Sequence, residues 1–433
     1  MKRIVNFPIV LLLLIAVSIT SCKKEYGNLN SPTVEDYLKN ASKDQLNSLV
    51  VGSLAGMRNN DGLYLDAVGI IGREMYRFSN ADPRYVTELL GSAPLNNTGF
   101  YITNPWASRY RVVKNCNVLI DAATNSSLIS DAERNGYLGF AKTIKAFELL
   151  LNLNLTYTNG IRVDVADPNN LGPILSFDES ITAIASLLDE AKNNLNGSSI
   201  VYPLTSGFAG LDDVTGFIKF NRALAARVDV YRQKWDLALT DLGASFFDLS
   251  GDFATGAYEV FGTGSGDQLN SAYFPQNQNG EVRLSHPTFV TDMEEGDDRI
   301  SKATLRSTPA SNAGLSGDRD IWVYTSSTAP IPIVRNEELM LIYAEANIQI
   351  ANFDEAVKAI NVVRNGHGIG NYTGAMEKEA LVNEMLDQRR FSLFFEGHRW
   401  IDMRRYQKLG ELPIDRPGDQ VWSAMPIPIT EGQ

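Results

Sequence analysis

Apolar residues recur at three- and four-residue spacing along much of the chain, which is the pattern of helices with one buried face. Four such stretches occupy residues 44–57, 106–122, 131–158 and 178–195. Asp131 opens the third stretch and Asp178 caps the fourth, since Asp is favoured where a helix begins. The hydrophobic pattern therefore predicts a mainly α-helical chain.

Two later segments of the chain match each other at a constant offset of 118 residues. The matching pairs are Leu224 with Ile342, Ala226 with Ala344, Trp235 with Phe353, Asp236 with Asp354, and Ala238 with Ala356. Each copy predicts a helix with small Ala contacts, a tight polar turn, and a second helix that begins with an aromatic residue and an Asp. Because Ala lets neighbouring helices pack closely, the repeat predicts tetratricopeptide-like helix pairs. Two unrelated hairpins of similar composition are the alternative interpretation.

Two connections between the helices are long and irregular. They cover residues 72–105 and 248–330, and they are rich in Gly, Ser, Asn, Thr, Asp and Pro with interspersed aromatic residues. Loops longer than ordinary connections commonly carry function when a rigid scaffold holds them. We therefore expect the ligand-binding surface to come mainly from these two stretches. In the second, Trp322 and Tyr324 alternate on a short strand-like segment, which places both rings on one face, where they could stack on two neighbouring sugar rings.

The composition limits the possible functions. Hydrophobic residues make up 44% of the 433 residues and charged residues 21%, so the chain can bury a sizeable core. Lys and Arg total 39 against 51 Asp and Glu, and the net charge of -12 gives no general attraction to nucleic acid. Two Cys and three His leave no disulfide framework and no Cys/His zinc cluster. The common hydrolase and nucleotide-binding motifs are also absent from the sequence.

The N-terminus carries the pattern of a bacterial lipoprotein signal. Lys2 and Arg3 precede an apolar run that is too short to span a bilayer stably, and small polar residues follow it. Cys22 stands directly after them, where lipoprotein signals place the thiol that becomes acylated. We interpret residues 1–21 as the signal peptide, Cys22 as the lipidation site and residues 22–32 as a lipid-anchored flexible tether. A retained N-terminal anchor helix is the alternative.

The most distinctive block of sequence is residues 394–406, which contains Glu396, Gly397, His398, Arg399 and Trp400. Further distinctive segments are Cys22 with Lys23; Trp106, Tyr110 and Asn117; and residues 221–238, 296–299, 331–335, 343–346, 361–364 and 425–428 with Glu431. Taken together, these segments resemble the sequence signature of the SusD/RagB family of outer-membrane nutrient-binding lipoproteins. The resemblance extends along nearly the whole mature chain.

This resemblance implies that residues 33–433 form a single SusD-like helical domain, an α-α superhelix of tetratricopeptide-like pairs with long irregular loops and a few short strands. It also implies a noncatalytic protein that acylated Cys22 anchors in the outer membrane at the cell surface. Such a protein would capture an oligosaccharide or polysaccharide and deliver it to a SusC-like TonB-dependent transporter. No cofactor is expected. The main alternative is a peptide-binding member of the same family, followed by a lipid-anchored scaffold and a surface glycosidase.

Sugar binding requires flat aromatic rings that cover the apolar side of a pyranose, with amides and carboxylates around them. The two long loops supply both kinds of group, and residues 276–279 form a run of four amides. The candidate ligand-binding residues are Tyr76, Tyr85, Phe100, Tyr101, Phe274, Trp322 and Tyr324. For each ring, burial against the helical scaffold is the alternative.

Two further groups of residues suggest other chemistry. Glu294, Asp297 and Asp298 belong to an acidic cluster that calcium or a glycosidase could use, although such carboxylates are usually solvated. His398 and Asp402 have a spacing that would suit a general-base pair, but no Ser or Cys nucleophile has a recognisable setting. We therefore predict a structural role for His398 and Asp402. We predict neither a catalytic site nor a metal site in either group of residues.

Overall fold

The structure is a computed structural model, and it describes residues 34–432. The predicted signal peptide, the lipidation site Cys22 and the tether lie outside the described residues. None of the helices in the described part combines the length and the low polarity that a membrane span requires.

Helices form most of the first half of the described chain. They are α1 (Val34–Asn40), α2 (Lys43–Met57), α3 (Asp61–Ile71), α4 (Phe100–Asn125), α5 (Asp131–Thr156) and α6 (Phe177–Leu195). Ser130 and Ser176 cap α5 and α6, each in a reciprocal capping box with the Glu three residues later. The prediction that Asp178 caps the fourth stretch is therefore wrong: Asp178 lies in the first turn, where its negative charge favours the helix N-terminus.

The second half contains two matched helix pairs and three further helices. The helices are α7 (Val214–Tyr231), α8 (Trp235–Gly243), α9 (Thr288–Thr291), α10 (Asn336–Gln349), α11 (Phe353–Gly366), α12 (Lys378–Ser392) and α13 (Arg399–Arg405). The internal repeat appears as α7 with α8 and α10 with α11, and its four matched Ala residues are fully buried. The prediction of a mainly helical fold built on such pairs is confirmed.

The turn inside each repeated pair has the same backbone geometry. Gln233 and Ala351, which correspond at the offset of 118, both have left-handed backbone angles, with φ of 57° and 62°. In both turns the next residue donates its backbone N–H to the carbonyl five residues earlier, at 2.8 Å: Lys234 to Asp229 and Asn352 to Asn347. This shared turn explains why the two segments of sequence match.

Short strands connect the two long loops. They are β1 (Met75–Ser79), β2 (Ile161–Arg162), β3 (Ile174–Leu175), β4 (Gly256–Glu259), β5 (Glu281–Ser285), β6 (Ala303–Asn312), β7 (Leu315–Ile321) and β8 (Ile331–Arg335). One antiparallel sheet has the order β1-β5-β7-β6, and two small sheets pair β2 with β3 and β4 with β8. Because β1 belongs to the first long loop and its three partners to the second, the sheet joins the two stretches that were expected to bind ligand.

One main hydrophobic core extends through the helices and beneath this sheet. Trp400 is fully buried in it, and its indole N–H donates to the carbonyl of Trp422 at 2.7 Å. Cys116 is also fully buried, and burial raises the pKa of its thiol to about 12. Cys116 is therefore a small core residue, which is the usual role of a buried free Cys.

Candidate functional site

The sheet brings two arginines from the two long loops together. Arg77 on β1 is the cross-strand partner of Arg283 on β5. Both donate to the fully buried carboxylate of Asp66 on α3; the Arg283 Nε bond is 2.6 Å long. Burial opposes ionisation of Asp66, but the positive charges of Arg283 and Arg77 outweigh it and hold the pKa of Asp66 below its usual value. The two guanidiniums are therefore fixed in place by one shared anion.

These two arginines alternate with aromatic rings in a continuous stack. The guanidinium carbon of Arg77 lies 4.3 Å from the ring centre of Tyr85 and 5.2 Å from that of Phe274. The guanidinium of Arg283 lies 3.9 Å from the ring centre of Phe274 and 5.8 Å from that of Phe395. We call Tyr85, Arg77, Phe274, Arg283 and Phe395 the cation–π ladder. Each such contact contributes roughly 0.5–2 kcal/mol, depending on how far it is shielded from water.

The ladder continues at both ends into other predicted site residues. The ring of Phe100 meets Tyr85 edge-on at 5.2 Å, and the guanidinium of Arg84 covers Phe100 at 4.5 Å. At the opposite end, the ring of Tyr324 is 5.8 Å from Phe395. The structure therefore brings Phe100, Tyr85, Phe274 and Tyr324 into one row, although they come from two distant loops.

Four of the seven candidate rings are buried. Tyr76 is 3% exposed, Tyr85 6%, Tyr101 0% and Tyr324 4%. Two of these side chains have hydroxyls with partners inside the protein: that of Tyr101 donates to Glu88, and that of Tyr324 donates to the carbonyl of Phe395 at 3.1 Å. No face of these four rings is open to a ligand, which is the burial that the sequence left as the alternative.

The other three candidates, Phe100, Phe274 and Trp322, are half-buried and present part of each ring at the surface. Trp322 follows the end of β7, and its ring centre is 6.1 Å from that of Tyr273, which is also half-buried. Trp322 and Tyr324 do not form the two-ring surface that their spacing suggested, because β7 ends at Ile321 and Tyr324 enters the core. We define the loop face as Phe100, Tyr273, Phe274 and Trp322.

The amide run beside Phe274 holds the loop onto the β6–β7 hairpin. The backbone N–H of Asn277 donates to Asp320 at 2.6 Å, and its side-chain oxygen accepts the backbone N–H of Ser307 at 2.7 Å. The amide of Gln276 donates to the hydroxyl of Thr304 at 2.9 Å. These amides position the loop face and leave part of their hydrogen-bonding capacity open to solvent.

The acidic cluster is used for internal ion pairs. Glu294 binds Arg364, with a shortest distance of 2.5 Å, and Asp297 binds Arg299 at 2.6 Å. Asp298 lies 2.7 Å from His367, whose other ring nitrogen is 2.7 Å from Glu337. Within the described residues the only grouping close enough to hold a metal is Asp297, Asp298 and His367. Calcium requires six to eight oxygen ligands, and these paired carboxylates with one imidazole do not fit it.

His398 and Asp402 do not form a general-base pair. Asp402 instead accepts bonds from Arg389 at 2.7 Å and Arg405 at 2.8 Å. Burial lowers the pKa of His398 to about 4. The carboxylate holds two arginines in the core, which is the structural role that the sequence favoured.

The sequence missed Arg77 and Arg283, which organise the row of aromatic rings. Each lies on a strand beside aromatic or polar residues, but no local pattern marks either as a partner of Phe274. One sequence feature could have pointed to them: Arg77 and Arg283 each lie in one of the two long loops that were expected to form the ligand-binding surface.

Comparison with known proteins agrees with this architecture. The SusD family model matches residues 276–424. No curated protein matches the sequence.

Three solved structures illustrate the similarity of fold. Surface glycan-binding protein A from Bacteroides thetaiotaomicron, in complex with laminarihexaose, is 13% identical with a TM-score of 0.70, over 90% of this chain and 97% of that one. A SusD superfamily protein from Bacteroides vulgatus is 15% identical with a TM-score of 0.66, over 90% and 96%. NanU from Bacteroides fragilis is 15% identical with a TM-score of 0.66, over 93% and 96%.

Identities this low carry information about the fold, while the family model adds the sequence motifs of the C-terminal third. Taken together, these comparisons show that residues 276–424 match the SusD family model and that the chain shares the fold of SusD superfamily proteins.

Proposed function

We propose that this protein is a noncatalytic glycan-binding lipoprotein of the outer membrane. In this proposal acylated Cys22 anchors it at the cell surface, and it captures an oligosaccharide and delivers it to a SusC-like TonB-dependent transporter. The observation that carries the proposal is the loop face, whose half-buried aromatic rings come from both long stretches and include Tyr273 and Trp322 with ring centres 6.1 Å apart. The lipoprotein pattern of the N-terminus supports the anchor.

The loop face has the properties that sugar binding needs. Phe274 contacts two guanidiniums that Asp66 holds, so its ring is ordered before a ligand arrives and little conformational entropy is lost on binding. Tyr273 and Trp322 extend the aromatic surface beside it. Polar groups of residues 276–279 lie next to these rings and offer hydrogen bonds to sugar hydroxyls.

The comparisons support the same class of ligand. A relative with this fold is a surface glycan-binding protein that was solved with laminarihexaose. The match to the SusD family model and the shared fold support a ligand of the same class for this chain, and the particular glycan is identified by experiment.

The direct test is binding by soluble protein that begins after Cys22. Affinity electrophoresis against neutral and acidic polysaccharides, followed by calorimetry, should give a saturable glycan ligand. Trp322→Ala should weaken that binding by about fivefold, since one aromatic contact contributes on the order of 1 kcal/mol. Tyr372→Ala is the matched control, because Tyr372 is a half-buried ring outside both long loops.

Other outcomes would contradict the proposal in distinct ways. Binding of peptide digests alone would indicate the peptide-binding alternative, and release of sugar products during prolonged incubation would indicate a glycosidase. Delivery is tested separately by purifying the full lipidated chain from membranes and identifying a co-purified TonB-dependent transporter. Absence of a transporter from that complex would contradict the delivery step alone.

A further inference from the structure

A separate cleft of about 530 Å³ opens where several helix ends meet. It is lined by the end of α5, the start of α6, the α7–α8 turn, the end of α10 and the end of α13. Its volume lies within the range of roughly 300–1,000 Å³ that is usual for small-molecule sites. None of the loop-face residues lines it, so the cleft is independent of the site described above.

Two strained turns place glutamine side chains at this cleft. Gln233 and Gln407 both have φ of 57°, in the left-handed region that favours Gly. In the turn at Gln407, Lys408 donates its backbone N–H to the carbonyl of Met403 at 2.7 Å, which repeats the geometry of the α7–α8 turn. Both glutamine side chains are exposed, and neither makes a hydrogen bond to any described residue. The chain therefore keeps a free amide at two positions where Gly would be less strained.

The walls of the cleft carry four half-buried aromatic rings: Tyr157, Phe177, Trp235 and Tyr406. Tyr157 meets Phe177 edge-on at 4.9 Å, and Tyr406 donates its hydroxyl to Glu345 at 2.8 Å. The amide of Gln349 donates to the Tyr406 hydroxyl at 3.1 Å, so the amide oxygen of Gln349 stays available. The indole N–H of Trp235 makes no hydrogen bond within the described part of the chain. The walls thus combine ordered rings with unused polar groups.

The arginines at this site have their charges compensated inside the protein. Arg405 binds Glu345 at 2.6 Å and Asp402 at 2.8 Å, and Arg232 binds Asp229 at 2.7 Å. The Nε atom of Arg405 is buried and makes no hydrogen bond to any described residue. The cleft therefore offers hydrogen-bond donors and acceptors without a free positive charge to attract a carboxylate or phosphate.

We propose that this cleft is a second binding site, which takes a short neutral oligosaccharide. Its aromatic walls would cover the apolar faces of the sugar, and the amides of Gln233, Gln349 and Gln407 would bind its hydroxyls. A peptide fits less well, because the cleft has no uncompensated positive charge for its carboxyl terminus, while the exposed carboxylate of Asp178 in the lining can accept hydrogen bonds from sugar hydroxyls.

The test first weakens the loop face and then measures whether substitutions in the cleft lower the affinity that remains. Laminarihexaose, cellohexaose, maltohexaose and mannohexaose are titrated by calorimetry into a soluble chain that carries Trp322→Ala. Saturable binding should remain in this variant, and adding Trp235→Ala should weaken it by about tenfold. Gln407→Ala should also weaken it, and this exposed residue can be changed without removing any core contact. Leu237→Ala is the matched control on α8, since Leu237 is 50% exposed and does not line the cleft.

The outcomes separate this site from the loop face. If the wild-type chain binds a glycan and the Trp322→Ala chain binds none, the second site is refuted and the loop face is supported. Residual binding whose affinity is unchanged by both Trp235→Ala and Gln407→Ala would place the sugar elsewhere and also refute the cleft. Binding of peptides but no hexasaccharide by the Trp322→Ala chain, with sensitivity to Trp235→Ala, would overturn the proposed ligand class.

Discussion

Replacing Gln233 or Ala351 with Gly should relieve backbone strain in the two matched turns and so stabilise the protein. Gln233 and Ala351 occupy equivalent left-handed positions, and both are exposed, so replacing either with Gly loses no core packing. A left-handed conformation costs a non-Gly residue roughly 1–2 kcal/mol. Gly in turn loses more backbone entropy on folding, which costs roughly 0.5–1 kcal/mol. We therefore expect Gln233→Gly and Ala351→Gly each to raise the free energy of unfolding by up to about 1 kcal/mol.

Equilibrium urea unfolding of the soluble chain measures this effect through the shift in midpoint at constant slope. Gln233→Ala is the matched control: it removes the amide but keeps the Cβ and the strain, so its midpoint should not rise. Glycan titrations then separate stability from binding, because Gln233→Gly should weaken binding at the second site and Ala351→Gly should not. A fall in midpoint in both Gly variants would refute the argument that these turns are strained.

Two further predictions concern buried titratable groups. Glu74 is 4% exposed, and burial raises its carboxyl pKa to about 8, so the titration of Glu74 by itself should contribute a loss of roughly 1.4 kcal/mol of unfolding free energy per pH unit between about pH 5 and pH 8. Glu74→Gln should remove this loss, and equal slopes of stability against pH in the two chains would contradict the assignment. Cys116 is the single thiol of the soluble chain, and its burial and raised pKa should prevent alkylation by iodoacetamide at about pH 8 until urea unfolds the protein. Rapid labelling of the native chain would show that the thiol is accessible.

The helix pairs were predictable because their signals are local. Apolar spacing defines a buried helix face within a few turns, and the matched Ala, aromatic and Asp positions repeat because the same turn repeats at Gln233 and Ala351. The cap of α6 was misassigned for a related reason. Ser176 and Asp178 are both suitable caps in the sequence, and the backbone alone decides which of them accepts the first free N–H.

The burial of individual aromatic rings was not predictable from the same patterns. Phe100 and Tyr101 are neighbours in the first turn of α4, yet Tyr101 is fully buried with its hydroxyl bound to Glu88, while Phe100 stays half-buried beneath the guanidinium of Arg84. A ring is equally compatible with a core and with a binding surface. Whether the ring is buried or stays at the surface depends on polar partners that lie outside its own segment.

The sequence by itself determined the class of fold, the repeated helix pairs, the family motifs and the two loops that form a ligand-binding candidate. Only the tertiary structure decided which rings remain at the surface and how they are held. Arg283 and Asp66 are 217 residues apart in the chain, and their contact fixes Phe274. The second cleft likewise depends on five helix ends that meet only in the folded protein. Periodicity is encoded within each segment, whereas such contacts arise from long-range packing that no single segment specifies.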